Sequence, residues 1–161
     1  MPIAEALIKA GARVEDAGLT LTAAICLGRS DDIAPLARKA GAKEKQKALA
    51  AAAYNGRLEA IDAALALGAD PNAPNAGLNP NATALHNAVC SGSLAAVQKL
   101  VEAGANIDAK DGPYKATPRQ WAEYFVRERG AGKVEYFQRE GPRPKQYAEI
   151  AAYLRTKENR S

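Results

Sequence analysis

The 161-residue sequence predicts an all-α protein built as a solenoid of stacked helix-turn-helix units, and three observations carry that expectation. The dipeptide Gly-Ala recurs at Gly11-Ala12, Gly41-Ala42, Gly68-Ala69 and Gly104-Ala105, at separations of 30, 27 and 36 residues. A second glycine precedes three of these dipeptides, with Gly28, Gly56 and Gly92 lying 13, 12 and 12 residues upstream. Between the glycines, apolar residues fall at helical intervals. Self-similarity at such a period marks repeat architectures, whose units bury their apolar faces against one another.

The elements follow in order. Residues 1–12 form a lone half-unit, since Ala4, Leu7, Ile8 and Gly11 fit only the second helix of the pattern. The first full unit, near 19–42, contributes Leu21, Ile33, Leu36 and Ala37. Its second helix is expected to start near Asp32, because Pro35 fits a helix in the first turn, where amide donors have no partner within the helix. In the unit near 47–72, Leu58, Ile61 and Leu65 fall at i, i+3 and i+7, the stripe of a helix with one buried face. An offset of 36 superimposes the next unit, near 83–108: Leu49 on Leu85, Leu58 on Leu94, Ile61 on Val97, Leu65 on Val101. The last, near 117–156, opens at Thr117-Pro118 and closes with Glu149 to Leu154, its helices parted by an insertion at 126–146 in which Lys133 to Glu140 leaves room for one short helix. Each glycine sits where a helix stops, in a position suited to the left-handed conformation. Helices of roughly 8 to 10 residues are too short to be stable alone, so the units must stack into one domain over 1–161.

Composition narrows the function. Hydrophobic residues make up 47% of the chain, and 37 alanines supply about half of them, so any core requires closely approaching backbones. No apolar stretch approaches the roughly 20 residues of a membrane span. Glu5 and Lys9 interrupt what would be the apolar part of a leader, which favours the cytoplasm. The net charge of +4 belongs to the last third, where residues 110–161 hold 12 Lys/Arg against 7 Asp/Glu, while residues 1–109 hold 10 against 11. Eight of the nine aromatic residues also follow position 110.

One stretch carries a family resemblance. Thr83-Ala84-Leu85-His86-Asn87-Ala88, then Gly92, then Val97 to Ala109 with Gly104-Ala105-Asn106-Ile107-Asp108, resembles one complete ankyrin repeat. Gly68-Ala69-Asp70-Pro71-Asn72 is similar to the end of the unit before, and Thr117-Pro118 with Trp121-Ala122-Glu123 to the opening of the unit after. The resemblance implies an ankyrin solenoid of about four repeats plus the N-terminal half-repeat, and its size and alanine-rich units look like small bacterial ankyrin repeat proteins. Departures are Lys47 and Ala50 where the family has Thr and His, and Arg119 and Gln120 where it has Leu and His. The connection from Gly41 to a helix at Lys47 is too short for the usual finger, whereas Ala69 to Ala82 is longer than usual.

The resemblance also implies use as a non-catalytic protein-binding module, with a partner protein held on the concave face and finger loops. Carried over residue by residue, the face holds Cys26 and Leu27, Tyr54 and Asn55, Cys90 and Ser91, Tyr124 and Phe125, and the finger tips Asn75, Leu78, Asn79, Lys110, Asp111 and Tyr114. Thr83, His86, Gly56, Gly68, Gly92 and Gly104 are implied to be structural. Tyr54, alone in an aromatic-poor half, fits either a binding hot spot or ordinary packing. His86 is the single histidine, which removes most acid-base and nucleophilic schemes, and no metal, cofactor or catalytic residue is expected. Gly132-Lys133 resembles part of a phosphate loop, but Arg127 and Val134 stand where Gly and Ser or Thr belong. Cys26 and Cys90 occupy equivalent positions two units apart and are expected as free thiols. Two further functions stay open: an inhibitor or immunity-type role against a bacterial enzyme or toxin, and nucleic-acid binding through the basic last third, against which interleaved Glu128, Glu135 and Glu140 argue. A monomer is expected, with weak self-association through an exposed N-terminal end as the alternative.

Overall fold

The computed structural model describes residues 20–74, 82–130 and 144–158. The half-unit at 1–12, the finger residues Asn75, Leu78 and Asn79, and the part of the insertion between 131 and 143, with its short helix and loop motif, lie outside the described residues. Eight helices appear among those described: α1 (Leu21–Leu27), α2 (Ser30–Lys39), α3 (Ala42–Tyr54), α4 (Leu58–Ala66), α5 (Ala84–Ser91), α6 (Leu94–Glu102), α7 (Pro118–Gly130) and α8 (Pro144–Glu158). They pair in chain order and stack. The first helices of the pairs touch in the sequence α1, α3, α5, α7, and α4, α6 and α8 form the second row.

Alanine makes this stacking close. Ala24 of α1, Ala48, Ala52 and Ala53 of α3, Ala84 and Ala88 of α5 and Ala122 of α7 are all buried. Bulkier anchors are few; among them, Leu21, Leu49, Ile61, Leu85 and Leu100, with Tyr147, Ile150 and Leu154 in α8, are each essentially without solvent contact. At about 1.5 to 3 kcal/mol per buried large side chain, these anchors drive a core that runs from unit to unit.

The Gly-Ala dipeptide has a specific use at two places. Gly68 and Gly104 adopt φ of 85° and 88° just after α4 and α6, where a Cβ is disfavoured. The next amide then turns back, Ala69 N–H donating to the Ala64 carbonyl at 3.1 Å and Ala105 N–H to the Leu100 carbonyl at 2.9 Å. Both alanine methyls are buried, so the dipeptide closes the helix and seals its end in one step.

Helix boundaries differ from expectation at both ends of the insertion expected at 126–146, since α7 reaches Gly130 and α8 begins at Pro144, and at two further places. Gly41-Ala42 ends no helix in the left-handed conformation; Gly41, with φ −74° and ψ 169°, is the N-cap of α3, which runs 13 residues from Ala42 rather than starting at Lys47. Ala, Lys, Glu and Gln over 42–48 are all strong helix formers, and tertiary ties hold the extra turn in place. The Glu44 carboxylate accepts from Thr22 Oγ1 at 3.0 Å, and Gln46 donates to the Asp70 carbonyl at 2.8 Å and accepts its amide at 3.1 Å. Helix α2 begins at Ser30 rather than near Asp32, leaving Pro35 beyond the first turn. Asp32 N–H donates to the Arg29 carbonyl at 3.0 Å and its carboxylate pairs with Arg29 at 2.6 Å, which closes the turn early. Asp31 and Pro35 are exposed, so the carbonyl that proline leaves unbonded faces water.

Candidate functional site

The sharpest local chemistry surrounds His86. Its Nδ1 accepts the Thr83 amide at 3.2 Å and lies 3.0 Å from Thr83 Oγ1, which caps α5. Its Nε2 donates to the Ala116 carbonyl at 3.0 Å, across to the turn before α7. Burial pushes its pKa down, against the opposing pull of the Ala116 carbonyl and Asp111, so the ring is neutral with its proton on Nε2. Thr117 and Gln120 repeat half of this device. Gln120 Oε1 accepts the Thr117 amide at 2.8 Å, so glutamine caps α7 where histidine caps α5.

Above His86 lies an aromatic cluster. Its ring meets Trp121 edge-on at 5.0 Å, Trp121 meets Phe125 at 6.5 Å, and Phe125 packs on Tyr124 at 5.7 Å and on Tyr147 at 4.9 Å. The Tyr147 hydroxyl donates to the Cys90 carbonyl at 3.3 Å, tying α8 to the end of α5. Helix α8 is also braced to α7 by charge. Arg119 joins Glu158 at 2.9 Å and also pairs with Glu123, which accepts Arg155 at 2.9 Å. Burial opposes the charged form of Glu123, but Arg155 and Arg119 outweigh it and hold the carboxyl below the usual range.

These elements frame a groove of about 780 Å³ between the ends of α3 and α5, the turn at 114–116 and α7. Of the residues expected at a binding face, it gathers Tyr54, Cys90, Tyr114, Tyr124 and Phe125. Register explains the gathering. The offset of 36 places Tyr54 on Cys90, and the offset of 34 that places Thr83 on Thr117 places Cys90 on Tyr124. A short thiol thus sits between two tyrosine positions and leaves the space open. Trp121, Glu123, Lys115, Gln120 and Arg127 line the groove as well, though none stood in the expected face. Helical spacing from Tyr124 was the signal for three of them, since Gln120 lies four residues before it, Trp121 three before and Arg127 three after.

Several expected contact residues are buried or lie away from the groove. Phe125 is only 7% exposed and forms the floor rather than the face, because Trp121 and Tyr147 cover it. Asp111 is 1% exposed and is not a finger tip. Its carboxylate accepts the Ala116 amide at 2.7 Å and the Tyr114 amide at 3.4 Å, folding the turn around itself. Cys90 is 9% exposed, and burial pushes its thiol up to about 12, so it stays protonated. Leu27, Asn55, Ser91 and Lys110 do not line the groove. Asn55 turns back to donate to the Ala51 carbonyl at 2.8 Å, and Ser91 bonds Ala88 and Ser93 at the α5–α6 junction. Both cysteines are free, and among the described residues no three His, Cys, Asp or Glu side chains gather as metal ligands. No helix among the described residues is long and apolar enough to cross a membrane.

A family model for ankyrin repeats, in three copies, matches residues 2–111. The chain belongs to the ankyrin repeat family. Among curated proteins none matches it. The ankyrin match covers α1 to α6 and stops at the turn that Asp111 organises. Tyr54 and Cys90 therefore lie inside the matched repeats, whereas Tyr114, Trp121, Tyr124 and Arg127 come from the segment beyond them. Ankyrin repeats are generally protein–protein interaction modules.

Proposed function

We propose that this ankyrin repeat chain is a non-catalytic interaction module that holds a partner protein in the groove between Tyr54 and Tyr124. The observation that carries the reading is the convergence of Tyr54, Cys90, Tyr114, Tyr124 and Phe125, from separate units, on one groove of about 780 Å³. Wide apolar-floored clefts with few polar groups are the usual form of binding sites, and tyrosine supplies contact area at low conformational cost. The groove holds no activated nucleophile to favour catalysis, since its thiol is raised by burial. Two unpaired thiols suit a reducing, cytoplasmic setting. The test is affinity capture from the native cell with wild type beside a Tyr54→Ala, Tyr124→Ala double variant of unchanged helix content. A protein retained by wild type and lost from the variant is the expected result; retention of the same proteins by both would remove the groove from consideration.

A further inference from the structure

The groove has a sign. Among the described residues the two large apolar side chains left exposed are Tyr114, at 80%, and Tyr124, at 50%, and both line it. Three charged residues line it with them: Lys115, Arg127 and Glu123. Glu123 is already satisfied by two arginines from the bracing network, with Arg155 Nη2 at 2.9 Å. The two arginines offset its charge. Among the described residues Arg127 pairs with its sequence neighbour Glu128 at 3.0 Å, and it lies over the Tyr124 ring with its side chain 72% exposed.

Lys115 is held out deliberately. It makes no ion pair among the described residues, and it is the one non-glycine residue among them with positive φ, at 52°. The buried Asp111 carboxylate bonds the amides on either side of it, those of Tyr114 and Ala116. A left-handed lysine is disfavoured on its own, and such conformations persist where surrounding bonds over-determine them, most often at functional sites. The turn spends a buried carboxylate on presenting one tyrosine and one ammonium group at the groove edge.

We propose that the groove takes an acidic, extended segment of a partner protein, with an aromatic or leucine side chain seated between Tyr54 and Tyr124 and carboxylates against Lys115 and Arg127. This rests on the interaction-module reading above. Two cations over an apolar floor of Phe125 and Cys90 suit a short peptide anchor better than a nucleic acid, whose binding depends on many phosphate contacts.

Three fluorescein-labelled peptides of about eight residues separate the outcomes: a central tryptophan-leucine pair flanked by aspartate and glutamate, by serine, or by lysine. A single-stranded oligothymidylate of similar length is the fourth probe, and all are titrated by fluorescence anisotropy. With each exposed ion pair contributing about threefold, wild type should bind the acidic peptide about tenfold more tightly than the serine one, and the lysine peptide least. A Lys115→Glu, Arg127→Glu variant should reverse that order, whereas Tyr124→Ala should weaken all three peptides alike. Equal binding of the three peptides, still lost in Tyr124→Ala, would overturn the acidic assignment and leave the groove as the binding face. Binding indifferent to Tyr124→Ala, or no binding by any peptide, would remove both. Oligothymidylate binding tighter than the acidic peptide, and lost on charge reversal, would overturn the choice of a protein partner.

Discussion

Replacing His86 tests the join between the matched repeats and the groove-forming segment. In His86→Ala the buried Thr83 amide loses its acceptor, the Ala116 carbonyl loses one of its two donors and keeps the Asp111 amide at 3.1 Å, and Trp121 loses an edge-on ring. A buried amide left unsatisfied costs about 2 kcal/mol; the single hydrogen bond lost at the Ala116 carbonyl, which the Asp111 amide still satisfies, about 1. The aromatic contact adds about 1, for a total of about 4 kcal/mol. His86→Gln provides an internal comparison, because Gln120 Oε1 already accepts the Thr117 amide at 2.8 Å in the same geometry. Glutamine at position 86 should keep the cap and lose the reach to Ala116, so the loss should fall to about 2 kcal/mol. Urea denaturation at pH 7.5, followed by helix signal and by emission of Trp121, the only tryptophan in the chain, measures both. In thermal terms His86→Ala should lower Tm by about 8 to 16 °C and His86→Gln by about half as much. If the two variants are equally destabilised, the cap contributes nothing separable. If His86→Gln matches wild type, the reach to Ala116 is not a stabilising tie.

Two other outcomes follow from the same coordinates. Because burial lowers the His86 pKa, its neutral form is the folded one, so its contribution is fully present above the unfolded value of about 6.5 and is lost as pH falls toward the lower folded value. Stability should therefore decline by at most about 1.4 kcal/mol per unit on acidification below pH 6.5, and His86→Gln should be flat from pH 7 to 5; Glu123, held low, acts only below the ordinary carboxylate range. A decline in His86→Gln equal to that of wild type would assign the effect to another group. Gly56→Ala and Gly104→Ala both place a methyl on a left-handed backbone, at φ 62° and 88°, for about 1 kcal/mol, but the new Cβ at 56 would lie 3.1 Å from Ser93 Cβ and 3.2 Å from Ser91 Oγ, while at 104 it meets nothing within 4 Å. Ser93 caps α6 through the Ala96 amide, so Gly56→Ala should cost about 1 kcal/mol more by urea denaturation, and equal losses would show that this junction yields freely.

Much of the architecture was legible because glycine and alanine mark helix ends and contacts by what they lack. Gly68-Ala69 and Gly104-Ala105 behave as their pattern implies, since a left-handed glycine followed by a buried methyl is a local device. Gly41-Ala42 is the same dipeptide in another setting, and nothing local distinguishes it; the ties from Glu44 to Thr22 and from Gln46 to Asp70 decide that a helix begins there. The site was legible by register and less so by exposure. Equivalent positions put Tyr54, Cys90 and Tyr124 along one groove, whereas Phe125 shares the buried face of α7 with Ala122, three residues before it. Asp111 is expected from the sequence at a partner-facing finger tip, and only the folded turn shows its carboxylate facing inward. Gln120 stood as a departure from the pattern, yet Thr117-x-x-Gln120 is itself a capping arrangement readable from four residues.

The hydrogen bond from Tyr147 to the Cys90 carbonyl spans 57 positions of the chain, and it has a consequence in time. Ribosomes extend a chain by about 5 to 20 residues per second, so Cys90 is synthesised roughly 3 to 11 seconds before the side chain that covers its end of α5. During that interval the earlier repeats can stack by contacts between neighbours, while Phe125 has no Tyr147 to pack beneath it. The floor of the groove is completed last. A nascent chain would thus acquire its stacked framework before it acquires the surface proposed to recognise a partner.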